Sequence, residues 1–549
     1  MSIGPSRPPS SSVTTSGIGS GAASHDPRIL GPTSITHIMH SMATFPVEHM
    51  GAYDWKHGFT WEVKEDGDGF IKVSDTIGID ETAANGADWE GEGKGLRGST
   101  IAPDVASHLV NFFFQHHSQH FPIVSKKEFL SSYQPDPSSS TPAPKPHPML
   151  LQCICGISAQ ASTVPAHIFD TIKNNIHQMF REEDVLDWGN LATVQSLLIY
   201  SFSLEFSRGR ASGNKNWNVL GLAIRMAQSL GLHRETATEK ERQTMADHIE
   251  VRRRVWGGCL VADRWISACF GLPMVIDLAD CDRLFPSVHD IVPGQEPHQV
   301  DRGSRPYLFN TVMIQLSIIL GKIQRSLYSP TGILNLKDGE AEQLQAELEA
   351  WDRNIPPELQ FNGPENSNPQ AGFLHLMSVT PMFLLLRPFW KLSYICPDNV
   401  KFHPGIKDWN DLRLKAQQAI DWTNRNETYL QGWFIPLYCL FICSLIQYHA
   451  YVRRREPDIL DSLRTSRDLL KRISSQQDCP TRMKVSEIVA LLFNTAHSIT
   501  SWAPEPSPDS PLPTGIKREP LVGLNPTKRE QEARARLELE VQEIGRCKA

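Results

Sequence analysis

The stretches NWNVLGLAIRMAQSLGLHRE (216–235) and RRRVWGGCLVADRWISACFGLPMVIDLADCD (252–282) set the fold class of this 549-residue chain. In the first, Trp217, Leu220, Ile224 and Ala227 fall at i, i+3, i+7 and i+10, the spacing of one face of an α-helix. Gly221, Ala223 and Ala227 are small enough to admit a neighbouring helix closely, and Gly231 supplies a left-handed stop before Leu232 and His233. In the second, Val255, Cys259, Ala262, Ile266 and Cys269 repeat at helical spacing, and Gly271 and Pro273 end the run. Both stretches therefore predict core helices with defined C-termini.

Asp263 and Arg264 interrupt the apolar character of the second helix beside Trp265. A charge in that setting is costly unless it is paired. The sequence therefore predicts an ion-pair network in which Asp263 or Arg264 meets Arg225, Arg253 or Arg254 from adjacent helices. The alternative is a pocket for an anionic metabolite lined by Arg225 and Arg264, although no phosphate-cradling loop lies nearby.

The same helical periodicity runs from about Ile101 to Ser501, broken by loops rich in Pro and Ser at 134–148, 293–306, 355–370 and 396–407. Strand-type alternation is scarce. Four segments follow: 1–50, 51–100, 101–503 and 504–549. Residues 1–50 are rich in Ser, Pro, Gly and Thr and are expected to be disordered. From Asp54 to Glu92 eleven carboxylates stand against three lysines, interleaved with Trp55, Phe59, Trp61, Phe70 and Trp89. That mixture resembles an activation segment; the simpler reading, an acidic linker that packs some aromatics on its neighbour, is preferred. The tail from about Pro504 is rich in proline and ends in a charged helix with Ala533, Leu537 and Val541 on one side, a narrow stripe for docking or pairing.

Composition excludes several functions. A net charge of -7 means that the overall field does not attract nucleic acid, and no localised basic module is evident. Ten scattered cysteines without a secretory leader read as reduced thiols of the cytosol or nucleus. The longest apolar runs, Phe373–Leu386 and Phe434–Ile446, each hold a proline and read as buried core helices rather than membrane spans. No nucleophile elbow, P-loop or dinucleotide glycine fingerprint appears in a strand-to-helix context, so no enzyme is expected. His116 and His120 lie four apart around His117 and invite a metal, but no complete ligand set accompanies them. Cys153, Cys155, Cys439 and Cys443 lack paired metal-ligand spacing and read as small core residues. Lys64 and Lys517 each sit in an apolar-Lys-any-acid pattern that accepts a small ubiquitin-like modifier.

Taken in order, NFFFQHHSQHFPIVSKKEFL (111–130), the two helical stretches and FLLLRPFW (383–390) resemble the fungal-specific transcription factor domain, from about Ile101 to Arg455. This is the regulatory middle region of fungal binuclear zinc cluster regulators, the group that includes xylanolytic activators. Gly257 stands where that pattern usually has a second Trp, and Leu272 where it usually has Arg. The resemblance implies an all-α fold, a large multi-helix regulatory domain with disordered N- and C-terminal segments. It also implies a nuclear location and a role in transcription without catalysis. Family members bind DNA through a six-cysteine module holding two zinc ions. The first cysteine here is Cys153, so no cofactor is expected in this chain, and DNA is expected to be reached through a partner or a missing module. Other transcription regulators, a second copy of the chain and a small-molecule inducer are the expected partners, with no membrane. The alternative is a ligand-sensing or scaffolding helical domain that acts through protein contacts without binding DNA.

Overall fold

A computed structural model describes residues 28–502 apart from 43–44, 46, 64–68, 74–100, 135–144, 162–163, 183–188, 204, 207–211, 283–284, 291–303, 391–399 and 477–478. An N-terminal unit comes first. It comprises β1 (Arg28–Leu30), α1 (Ile35–Met42), α2 (Val47–His57), β2 (Phe59–Val63) and β3 (Gly69–Val73). Its strands form one antiparallel sheet in the order β1-β3-β2, with Arg28 opposite Val73 and Phe59 opposite the same residue on the other side. The remaining helices are α3 (Pro103–Phe112), α4 (Lys126–Tyr133), α5 (Pro148–Ala159), α6 (Ala166–Glu182), α7 (Leu191–Phe202) and α8 (Ser212–Ser229). They continue as α9 (Glu239–Thr244), α10 (Ala246–Phe270), α11 (Leu308–Ile323), α12 (Glu340–Arg353), α13 (Pro369–Trp390) and α14 (Ile406–Arg425). The last three are α15 (Phe434–Arg454), α16 (Pro457–Gln476) and α17 (Pro480–Trp502). The all-α reading holds.

Local chemistry sets the helix starts. Five helices, α3, α5, α13, α16 and α17, begin on a proline, whose missing N–H is one that a first turn leaves unbonded in any case. Ser125 accepts from the Glu128 N–H ahead of α4, Asn190 from the Thr193 N–H ahead of α7, and Thr238 forms a reciprocal capping box with Glu241 ahead of α9. Gly231 and Gly271 adopt φ of 70° and 64°, the left-handed stops read from the sequence.

Packing follows apolar content. In the first half α5 lies against α3, α6 and α7, and α8 packs on α7 and α10. In the second half α15 runs through the middle, touching α13, α14, α16 and α17. The α10–α11 and α11–α13 contacts join the halves into one continuous apolar core. Helices α13 and α15 have the length and hydropathy to cross a membrane, yet 78% and 83% of their apolar windows are buried within this fold. They are core helices, as expected, but α13 continues to Trp390 through Pro381 and Pro388, beyond the apolar run that marked it.

One expectation is corrected in part. The described residues of 1–50 are folded, as a strand over Arg28–Leu30 and helices from Ile35 and Val47, because Ile38 and Met39 are fully buried against the helical core and offset the ordering entropy; residues 1–27 lie outside the described residues. The acidic stretch is likewise folded over its first part: Trp61 stacks on His40, while Trp55 stays 66% exposed. Trp89, Lys64 and the tail with Lys517, Ala533, Leu537 and Val541 lie outside the described residues.

Candidate functional site

The segment after α10 is held back against it by one carboxylate. Asp263 is completely buried and accepts the N–H of Val275 at 2.9 Å and that of Ile276 at 3.1 Å. The adjacent Arg264 donates to Asp263 and, from its other terminal nitrogen, to the Ile276 carbonyl at 3.0 Å. Burial raises the Asp263 pKa above the ordinary carboxylate value, opposed by the guanidinium and the two N–H groups. The resulting clamp ties the turn at Gly271 to the helix that precedes it. On the other side, Gln324 donates to the Arg264 carbonyl at 3.0 Å, and Gly321 leaves the room that the Arg264 side chain fills.

The arginines expected as partners are elsewhere. Arg225 is exposed and, among the described residues, reaches Gln228 of its own helix at 3.4 Å rather than Asp263 or Arg264. Arg253 bonds Glu235 at 2.6 Å and also Glu250, tying the end of the α8 stretch to α10. Arg254 donates to the Pro122 carbonyl at 3.0 Å and lies over the Tyr307 ring, 4.1 Å from its centroid. The predicted network therefore divides into three separate devices. The physical reason is helical geometry: residues 253, 254 and 263 point to different faces of one helix, and the nearest donors to Asp263 are the N–H groups of its own return segment.

The first motif packs on the third through this helix. Arg254 and Gln195, which donates to the Ile123 carbonyl at 2.7 Å, together hold the Phe-Pro-Ile turn. Gly258 makes room for Ile123 and Phe121. Gly257, where a second Trp is usual, faces Ile314: a Cβ there would fall 2.5 Å from the Ile314 Cδ1, so the missing side chain is what lets α11 approach. Trp265 donates to Ser317 at 2.9 Å from the same face.

His117 and His120 sit in an aromatic nest that closes a π-helical turn at 113–117. The Trp433 indole donates to His117 Nδ1 at 2.9 Å, and the Tyr429 hydroxyl meets His120 Nε2 at 3.1 Å. His120 Nδ1 lies 3.1 Å from the His116 carbonyl, which makes it the donor and Nε2 the acceptor of a neutral ring. Burial is the main cause that lowers their pKa values, to about 3 for His117 and about 4 for His120, with neighbouring imidazoles adding to it. Among the described residues no group of three or more His, Cys, Asp or Glu is placed to hold a metal. Cys153, Cys155, Cys439 and Cys443 are buried, and burial pushes the Cys155 and Cys439 thiols up to about 12.

Three buried charged residues were not anticipated. Glu205 and Arg482 form a fully enclosed pair that anchors α17 beside the end of α7. Arg387 of α13 is also completely enclosed. The signal for Arg387 was available, since it is the one charge in FLLLRPFW. Glu205 and Arg482 are separated by 277 positions, and nothing local marks them as partners.

The family model for the fungal specific transcription factor domain matches residues 110–353. Relatives include an uncharacterized transcriptional regulatory protein of Schizosaccharomyces pombe, 24% identical over 57% of this chain and 52% of its own length. A nitrogen assimilation transcription factor of Emericella nidulans is 27% identical over 55% of this chain and 35% of its own. A transcriptional activator of Neurospora crassa is 21% identical over 74% of this chain and 44% of its own. The chain thus spans about half the length, or less, of these curated relatives. No solved structure matches it. Residues 110–353, with α8, α10 and the Asp263 clamp at their centre, match the fungal specific transcription factor domain family.

Proposed function

We propose that this chain is a nuclear regulator of transcription whose helical domain works through packing equilibria and protein surfaces rather than through a nucleophile. The observation that carries the reading is the family match across residues 110–353, where the matched motifs form one interlocked unit around α10. Relatives named as transcription factors and activators support the same role. The net charge of -7 favours DNA contact through a partner or another module over contact through this domain.

The test is tethering. Fused to a heterologous DNA-binding domain in a fungal host, the chain is expected to change reporter transcription several-fold, and Asp263→Ala is expected to abolish the change by loosening the domain. A fusion that is folded and nuclear but leaves the reporter unaltered overturns the proposal.

A further inference from the structure

Arg387 is the only charge on the inward run of α13 between Phe383 and Phe389, and it is 0% exposed. Among the described residues no carboxylate pairs with it. Its Nη1 donates to the Pro32 carbonyl at 2.6 Å and its Nη2 to the Ser41 hydroxyl at 2.8 Å, while its Nε has no partner. Both acceptors are neutral, and both belong to the segment Gly31–Ser41 at the N-terminus of the described chain. The Tyr328 ring lies 5.7 Å from the guanidinium.

The same segment is held by other neutral contacts. The Tyr438 hydroxyl of α15 donates to the Thr33 carbonyl at 2.8 Å, and the Gly31 N–H donates to the Phe270 carbonyl at 3.1 Å. Gly31 and Gly271 touch backbone to backbone: a Cβ on Gly31 would lie 2.0 Å from the Gly271 carbonyl oxygen. Ile38 and Met39 add apolar burial. The guanidinium is therefore desolvated and hydrogen-bonded to neutral groups, with no carboxylate against it among the described residues, and a carboxylate offers it stronger, bidentate, charge-assisted bonds than a carbonyl and a hydroxyl do.

We propose that Arg387 is a latent site for a small carboxylate with an apolar or aromatic body, and that Gly31–Ser41 is the strap that closes it. A carboxylate accepts the two N–H bonds now given to Pro32 and Ser41. The strap loosens at its two ends, while Ile38 and Met39 retain their apolar contacts. One guanidinium framed by Tyr328 and apolar helices suits a monoanion; a phosphate would need further donors. The proposal stands independently of the transcriptional reading.

The experiment uses the full 549-residue chain with benzoate as the probe, benzamide as its neutral isostere and chloride at matched ionic strength. Benzoate is expected to raise the melting temperature and to increase amide exchange several-fold at residues 31, 33, 34, 41 and 42, whereas benzamide and chloride do neither. Arg387→Gln is expected to remove both responses. Because that variant can fail to fold, Ser41→Ala provides a second arm: it keeps the guanidinium, weakens the strap, and is expected to shift the benzoate response to several-fold lower concentration. Equal responses to benzoate and benzamide, no response to either, a benzoate response that survives Arg387→Gln, or an unshifted response in Ser41→Ala overturns the proposal.

Discussion

At the scale of single residues, the Asp263 carboxylate is a contact whose loss is costly. It satisfies two backbone N–H groups and one guanidinium at once, so its removal leaves three donors buried without an acceptor. Asp263→Ala is expected to destabilise the chain by about 3–5 kcal/mol, the cost of breaking a buried pair from one side, as read from urea or thermal melts. The paired change Asp263→Leu with Arg264→Met is expected to cost less than Asp263→Ala alone, since no unpartnered charge remains. Gly271 is sensitive for another reason. It holds φ at 64° and meets the Gly31 backbone, so Gly271→Ala combines left-handed strain of about 1–2 kcal/mol with a backbone clash. That variant is expected to be cleaved faster by protease within residues 28–42 than in the helices beyond.

At the scale of elements, the π-helical turn that carries His117 and the loop that carries Tyr429 and Trp433 are joined through neutral imidazoles. Both rings have folded-state pKa values well below the value of about 6.5 expected once the chain unfolds. The unfolded state therefore binds more protons as pH falls below about 6.5, and the stability that these rings contribute is fully present above that value. It declines by roughly 1.4 kcal/mol per pH unit for each ring, down to about pH 4 for His120 and about pH 3 for His117. Urea melts at pH 7 and pH 5 are expected to show this loss, and His120→Gln is expected to reduce the slope. A slope unchanged by that substitution contradicts the assignment. The close approach of α10 to α11 is a second property of paired elements. It depends on Gly257, and Gly257→Trp is expected to be destabilising despite matching the more usual residue, because Ile314 already fills the space.

At the scale of the whole molecule, the relevant quantity is the field. With a net charge of -7, the purified chain is expected to show no salt-dependent binding to duplex DNA in an anisotropy titration between 50 and 200 mM salt. A steep fall in affinity across that range identifies a direct phosphate-contacting surface and overturns the reading that DNA is reached through a partner or another module. The N-terminal unit adds a second property at this scale. His57 and Lys56 of α2 bond Glu487 of α17, while Gly31 and Thr33 bond groups from α10 and α15, so the unit spans both halves of the helical core.

The helical class, the stops at Gly231 and Gly271, the core role of the two longest apolar runs and the family itself were legible in the chain alone. Each rests on spacing within some twenty residues, and backbone geometry converts such spacing directly into a buried face or a terminus. The partners of Asp263 and Arg253 and the pairing of Glu205 with Arg482 were not legible. Nor was the folding of residues 28–42 over Arg387. Which donor meets a buried charge depends on how helices distant in sequence rotate against one another, and a segment poor in apolar residues folds only when another surface accepts its Ile38 and Met39. Periodicity determined which faces are buried; only the tertiary structure determined what each buried charge meets.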